Sequence, residues 1–144
     1  MSDAKQRTQF LENVPLFNGL NSRQLEHLSK RMIGRGYAAG QTIVVQGSDG
    51  EGFFVVQDGK AEAVIERADG SKSVVNTFGP TSYFGELALL DEGQRTATVI
   101  ATEPTNCLIL PRWDFLSALR EDPEMAVVIL QELARRFRRA LGSL

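Results

Sequence analysis

The 144-residue sequence holds one cysteine, one histidine and one tryptophan, and each scarcity removes a class of protein. A lone Cys107 cannot close an internal disulfide, so stability has to come from a hydrophobic core. Leu108, Ile109 and Leu110 follow it directly, which predicts a buried thiol in a cytoplasmic, reducing compartment. With His27 alone the chain cannot supply a multi-histidine metal site, and with one cysteine it cannot build a zinc finger, so no catalytic metal is expected. The longest uninterrupted apolar run, Met125 to Leu130, has six residues. A membrane helix needs about twenty, so no span is predicted. The opening MSDAKQRTQF lacks the apolar stretch of a secretory signal. A formal net charge of -2 argues against a general nucleic-acid-binding surface and leaves only local basic patches to consider.

What is present suits one folded domain over residues 1–144: 42% of residues are apolar and 24% charged. A chain of this size buries roughly two thirds of its extended surface. Eleven of the thirteen glycines fall between Gly34 and Gly93. Turn signals at Gly40, Gly47 to Gly52, Asp58-Gly59, Asp69-Gly70, Gly79-Pro80, Glu92-Gly93 and Glu103-Pro104 recur about every ten residues, as in a sandwich or barrel of short strands. Between them Phe53–Gln57, Ala61–Glu66, Val74–Phe78, Ala97–Ala101 and Cys107–Leu110 carry the β-branched and aromatic residues of strands. Asp58-Gly59 reads as a tight two-residue hairpin turn with positive φ at both positions. The chain then divides into helices over 1–32, a β region over 33–111 and helices over 112–144.

The ends follow helical spacing. Asn21 with Gln24 forms a capping-box pattern ahead of Leu25, Leu28 and Met32, predicting a helix over about 22–32 with a shorter one before it. Trp113–Leu119 reads as a short helix after Pro111, and Asp122-Pro123 opens the last one. Its row Met125, Ile129, Leu133, Phe137 and Leu141 is one long apolar face that requires a cover.

The most informative stretch is Phe84 to Val99, FGELALLDEGQRTATV. Gly85 permits close backbone approach, and a short helix opening at Glu86 would aim unpaired N–H groups at an anion. Arg95 can hold a phosphate through two parallel hydrogen bonds, with Thr96 and the Ala97 amide beside it. Glu86 can accept the proton of a ribose 2′-OH. Taken singly these features are commonplace: FGEL is an ordinary helix start and Arg95 an ordinary surface charge. Their joint occurrence inside a glycine-punctuated β region is the signal.

With these residues in place, the sequence resembles the cyclic nucleotide-binding domain family, which includes catabolite activator proteins, regulatory subunits of cyclic AMP-dependent kinase and cyclic nucleotide-gated channels. The similarity extends to NVPLFNGL at 13–20, YAAGQTI at 37–43 and GFFVVQDGKAEAV at 52–64. It implies a mainly β fold, an eight-stranded jelly-roll barrel with N-terminal helices and two C-terminal helices, and a phosphate-binding cassette between the sixth and seventh strands. It implies ligand contacts at Gly85, Glu86, Leu87, Ala88, Arg95, Thr96 and Ala97, and at Arg136 an arginine that caps the purine. The expected ligand is cyclic AMP, with cyclic GMP as the alternative, and no further cofactor is expected.

No DNA-binding domain is read in this chain, which leaves the last helix to contact an effector or a second copy. Arg135, Arg136, Arg138 and Arg139 suit the helix dipole as well as they suit an acidic partner. Trp113 reads as a packing residue of its short helix and His27 as a surface or packing residue. The expected role is a non-enzymatic receptor whose last helix closes as a lid. A phosphodiesterase or dioxygenase would need metal ligands, and a non-binding scaffold of the same fold would lack Arg95 or Glu86.

Overall fold

A computed structural model of the chain describes residues 3–48, 52–90 and 94–142. They fall into two compact units, one formed by Met1–Arg31 with Trp113–Leu144 and the other by Met32–Arg112.

The first unit is helical: α1 (Asp3–Glu12), a 3-10 turn at Pro15–Phe17, α2 (Ser22–Ser29), α3 (Arg112–Glu121) and α4 (Pro123–Ala140). Both halves of the capping box form at α2. Asn21 Oδ1 accepts from the Gln24 amide at 2.9 Å, and the Asn21 amide donates to Gln24 Oε1 at 3.0 Å. The helix stops three residues before the expected Met32 because the ladder tightens: the Arg31 amide reaches back only to Leu28 O, at 3.0 Å. Arg31 then donates to Glu121 Oε2 at 2.6 Å and lies 3.7 Å from Asp114, tying the end of α2 to α3. Leu11, Leu16, Phe17, Leu28, Phe115, Met125 and Ile129 are buried, with the Phe17 and Phe115 rings 6.1 Å apart. The apolar row of α4 is therefore only half used. Met125 and Ile129 are buried, whereas Phe137 is 66% and Leu141 50% exposed.

The second unit carries eight strands: β1 (Ile33–Tyr37), β2 (Thr42–Val44), β3 (Gly52–Asp58), β4 (Ala61–Glu66), β5 (Lys72–Phe78), β6 (Tyr83–Phe84), β7 (Thr98–Ala101) and β8 (Thr105–Pro111). They form two antiparallel four-stranded sheets, ordered β1-β8-β3-β6 and β2-β7-β4-β5. That is the double-sheet form of a jelly roll. Among the described residues strand pairing stays within each sheet, so the expected barrel takes the form of a sandwich.

The Asp58-Gly59 hairpin needs correction. β3 and β4, on either side of it, belong to different sheets, so the turn carries the chain across the sandwich. Gly59 alone takes the positive φ, +94°. A side chain there would collide with the Pro104 carbonyl and Thr105, which makes glycine obligatory for a reason unrelated to hairpin geometry. The turns expected around residues 49–51 and at Glu92-Gly93 lie outside the described residues.

The inner faces meet in a core of Tyr37, Phe54, Val56, Cys107 and Ile109 from one sheet and Ala61, Ala63, Phe78, Val99 and Ala101 from the other. The two-residue period explains the choice: Phe54 and Val56 face inward on β3, Cys107 and Ile109 on β8. Burial raises the Cys107 thiol to about 11, with a smaller contribution from the Asp58 charge, so the buried cysteine is an inert packing residue. The Tyr37 phenol is raised by the same burial, next by the charge of Cys107, and partly offset by Arg35.

Candidate functional site

The sandwich is not filled along its whole length. Between β6 and β7 it opens into a cavity of about 570 Å³, within the range of small-molecule sites. One wall is Ala63 and Ile65 of β4 with Val75, Asn76 and Phe78 of β5. Phe84, Gly85, Glu86 and Ala88 form a second, and Gln94, Arg95, Thr96 and Ala97, leading into Val99, form a third.

Gly85 sits at φ +79°, in the left-handed region. A side chain on it would strike the Arg95 guanidinium and come within 2.8 Å of Gly52 O. Glycine at this point lets the chain turn while Arg95 lies against it. The next residues, Glu86–Leu89, form a 3-10 turn, with the Ala88 amide donating to Gly85 O at 3.0 Å. Glu86 opens that turn at the cavity and is half-buried. Ala88 is buried, and the side chain of Leu87 lies outside the described residues.

Arg95 is held from three directions. Its Nη2 donates to Gly52 O at 2.7 Å, and its guanidinium carbon stands 5.6 Å from the centre of the Phe54 ring. Its backbone is clamped to the turn after β2, donating to Ser48 O and accepting from the Gly47 amide, both at 2.8 Å. Phe54 stacks on Phe84 at 4.9 Å, and Phe84 meets Phe78 at the same separation. The cation thus rests on an aromatic floor continuous with the core. A half-buried guanidinium held in this way in a partly apolar cavity is chemically suited to an anion, because its position needs little further ordering.

The structure brings Gly85, Glu86, Ala88, Arg95, Thr96 and Ala97 to one cavity. Thr96 is exposed at the mouth, and Ala97 packs on the core. Arg136 stands on α4 in the helical unit, half-buried, while the cavity lining comes from the β unit. Trp113 is 71% exposed and so is not the packing residue expected. It sits at the second position of α3, two residues from the fully buried Phe115 and so on the opposite side of the helix. His27 Nε2 lies 3.5 Å from Glu121 Oε1, and Arg135 and Arg139 lie 3.2 and 3.4 Å from the buried Glu132. Sequence reasoning missed Ile65, Val75 and Asn76, whose place at the cavity depends on sheet pairing, and Gln94 beside Arg95. Among the described residues no group of three histidine, cysteine or acidic side chains is gathered to hold a metal, and no helix is long and apolar enough to cross a membrane.

The sequence profile of the cyclic nucleotide-binding domain matches residues 35–122, a span that contains every residue lining the cavity. The chain belongs to that family. A cyclic AMP receptor protein of Thermus thermophilus is 35% identical over 130 residues, covering 90% of this chain and 60% of that protein. A cAMP-dependent protein kinase regulatory subunit of Mycosarcoma maydis is also 35% identical, over 94% of this chain and 22% of its own length. This cyclic nucleotide-binding domain therefore spans only part of both curated relatives. Among solved structures, the N-terminal domain of a transcriptional regulator from Streptomyces coelicolor A3(2) superposes with a TM-score of 0.87 at 32% identity, covering 94% of this chain and 96% of that one.

Proposed function

We propose that the chain is a non-enzymatic receptor for a cyclic purine nucleotide, cyclic AMP in preference to cyclic GMP, and that the β-unit cavity is its binding site. The convergence of Arg95, Gly85 and Glu86 on one cavity carries this reading. Arg95 neutralises the cyclic phosphate, the Gly85 backbone and the Ala97 amide approach its oxygens, and Glu86 accepts from the ribose 2′-OH. Thr96 stands where a hydroxyl can also reach the 2-amino group of guanine. The names of the two curated relatives, both referring to cyclic AMP, support the preference for that nucleotide.

Titration calorimetry with cyclic AMP, cyclic GMP and 2′-deoxy cyclic AMP tests the assignment. The deoxy analogue should bind more weakly, and Glu86→Gln, which retains an acceptor, should cost less than Glu86→Ala. Equal binding of the deoxy analogue would remove Glu86 from the site. Incubated cyclic AMP should be recovered unchanged.

The same proposal assigns α4 as the responding element. With nucleotide bound, its distal half closes over the purine, with Leu133, Arg136 and Phe137 nearest the base. Phe137 and Leu141, left exposed on a row whose first members Met125 and Ile129 are buried, support a helix that acquires a cover. Amide exchange in residues 133–142 should slow on nucleotide addition, to the extent that the ligand binds the closed form better. Unchanged exchange together with concentration-dependent dimerisation would assign the exposed row to a second copy of the chain or to an effector.

A further inference from the structure

The far end of β4 is bonded to a side chain where a strand would be expected. β4 runs to Glu66, but its ladder with β7 stops at Val64 opposite Thr98, where β7 begins. Continued in the same antiparallel register, the ladder would set Thr96 opposite Glu66. Thr96 instead belongs to the bend Arg95-Thr96-Ala97 at the cavity. The side chain of Gln46 takes its place in the ladder. The Glu66 amide donates to Gln46 Oε1 at 2.8 Å, and Gln46 Nε2 donates to Glu66 O at 2.9 Å. A carboxamide carries the donor and the acceptor of a peptide group, so it satisfies both backbone groups of Glu66 as a strand residue would.

The same residue also reaches the other side of the bend. Its backbone amide donates to Thr98 Oγ1 at 2.9 Å. The two residues after it grip Arg95: the Gly47 amide donates to Arg95 O, and the Arg95 amide donates to Ser48 O. Residues 46–48 therefore fasten the bend at both ends, at Arg95 and at Thr98, and the Gln46 carboxamide fastens residues 46–48 to β4. Gln46 is half-buried and its carboxamide is engaged by Glu66, while the cavity lining takes Ile65 from β4 and Arg95 from the bend. With the edge of β4 completed by a side chain, residues 95–97 need not continue β7 and can turn toward the cavity.

We propose that Gln46 is a positioning residue for the bound nucleotide: it completes the edge of β4 in place of Thr96, and so holds Arg95 and the Ala97 amide at the phosphate without touching the ligand. This rests on the cavity being the nucleotide site. Removing the carboxamide leaves two backbone groups of Glu66 without their partner and loosens residues 46–48. Arg95 then has to be ordered when the ligand binds, and that ordering weakens binding.

The test combines cyclic AMP titration by calorimetry, thermal unfolding and residue-resolved amide exchange on the full chain, for the wild type, Gln46→Ala and Thr98→Val. Gln46→Ala should weaken cyclic AMP by roughly three- to tenfold, the weight of about one neutral hydrogen bond. The Gly47 and Arg95 amides should exchange faster in the ligand-free variant, while those of β3 and β8 keep their wild-type rates. A merely structural role would speed exchange throughout the β unit and leave affinity unchanged well below the unfolding midpoint. Thr98→Val keeps the volume and the strand preference of the residue but removes the acceptor of the Gln46 amide. It should act in the same direction with a smaller fold-change, and it carries the test if the alanine variant does not fold. Wild-type affinity in both variants, or weakened affinity with unaltered exchange at Gly47 and Arg95, would overturn the role of Gln46 while leaving the cavity assignment in place. A wild-type chain that binds neither cyclic AMP nor cyclic GMP would overturn the nucleotide reading and the proposal together.

Discussion

The two ends of the β sandwich belong to one fold and behave as opposites. Around Tyr37, Val56, Ala61, Ala101 and Cys107 the inner faces close completely, each of these residues being 8% exposed or less. At the other end Ala63, Asn76, Arg95 and Thr96 line open space. Strand periodicity is the same in both regions. What differs is the filling: side chains meet across the closed end, while at the other end a bulge on β5 and a cation border open space. Phe54 stands at the boundary, buried in the core on one side and supporting Arg95 on the other. The proposed binding site is the part of the core that was left unfilled, with its cation held by the part that was filled.

Substitutions on either side of that boundary should separate stability from binding. The largest effect is expected at the boundary itself. Phe54→Ala should cost about 3–5 kcal/mol of unfolding free energy, measured by urea denaturation, and should weaken nucleotide binding because Arg95 loses its floor. A variant that lost only stability would show that the two regions are uncoupled. Arg95→Ala should lower nucleotide affinity by roughly 2–5 kcal/mol, with a much smaller change in unfolding free energy. Wild-type affinity in that variant would sink the site.

Gly85→Ala should fall below these, at about 1–2 kcal/mol for a side chain in the left-handed region, and it should appear in affinity as Arg95 is displaced. The smallest effect belongs to the closed end. Burial holds Cys107 in its protonated form, so the folded chain binds that proton more tightly than the unfolded chain. Its contribution to stability is intact below 9.0 and is lost as pH rises toward about 11. Tyr37 is shifted in the same direction. Denaturation midpoints should therefore fall across that alkaline window, and Cys107→Ala should flatten the fall.

Much of this design could be read in advance where its causes lie within a few residues of one another. The Asn21–Gln24 capping box forms as read, and Pro123 opens α4. Strands appear over Gly52–Asp58 and Thr105–Pro111, overlapping the runs of β-branched and aromatic residues. The grouping of Gly85, Glu86, Arg95, Thr96 and Ala97 was legible because all of them lie within thirteen consecutive positions. Other expectations failed where a local pattern has two tertiary outcomes. A glycine turn between two strands can join neighbours or switch sheets, and Asp58-Gly59 does the second.

By itself, then, the sequence determined the strand and helix periodicities, the left-handed capacity of Gly85 and the presence of a fixed cation close to it. Those properties arise from backbone sterics and side-chain chemistry within a short segment. Only the tertiary structure decided that Arg95 would rest on Phe54, forty-one residues earlier, that Asn76 would share a row with Ala63 and Val99, and that Trp113 would stand exposed. Each of those depends on pairing or burial between distant parts of the chain, where many partners of similar hydrophobicity compete and the register of the whole sheet selects among them.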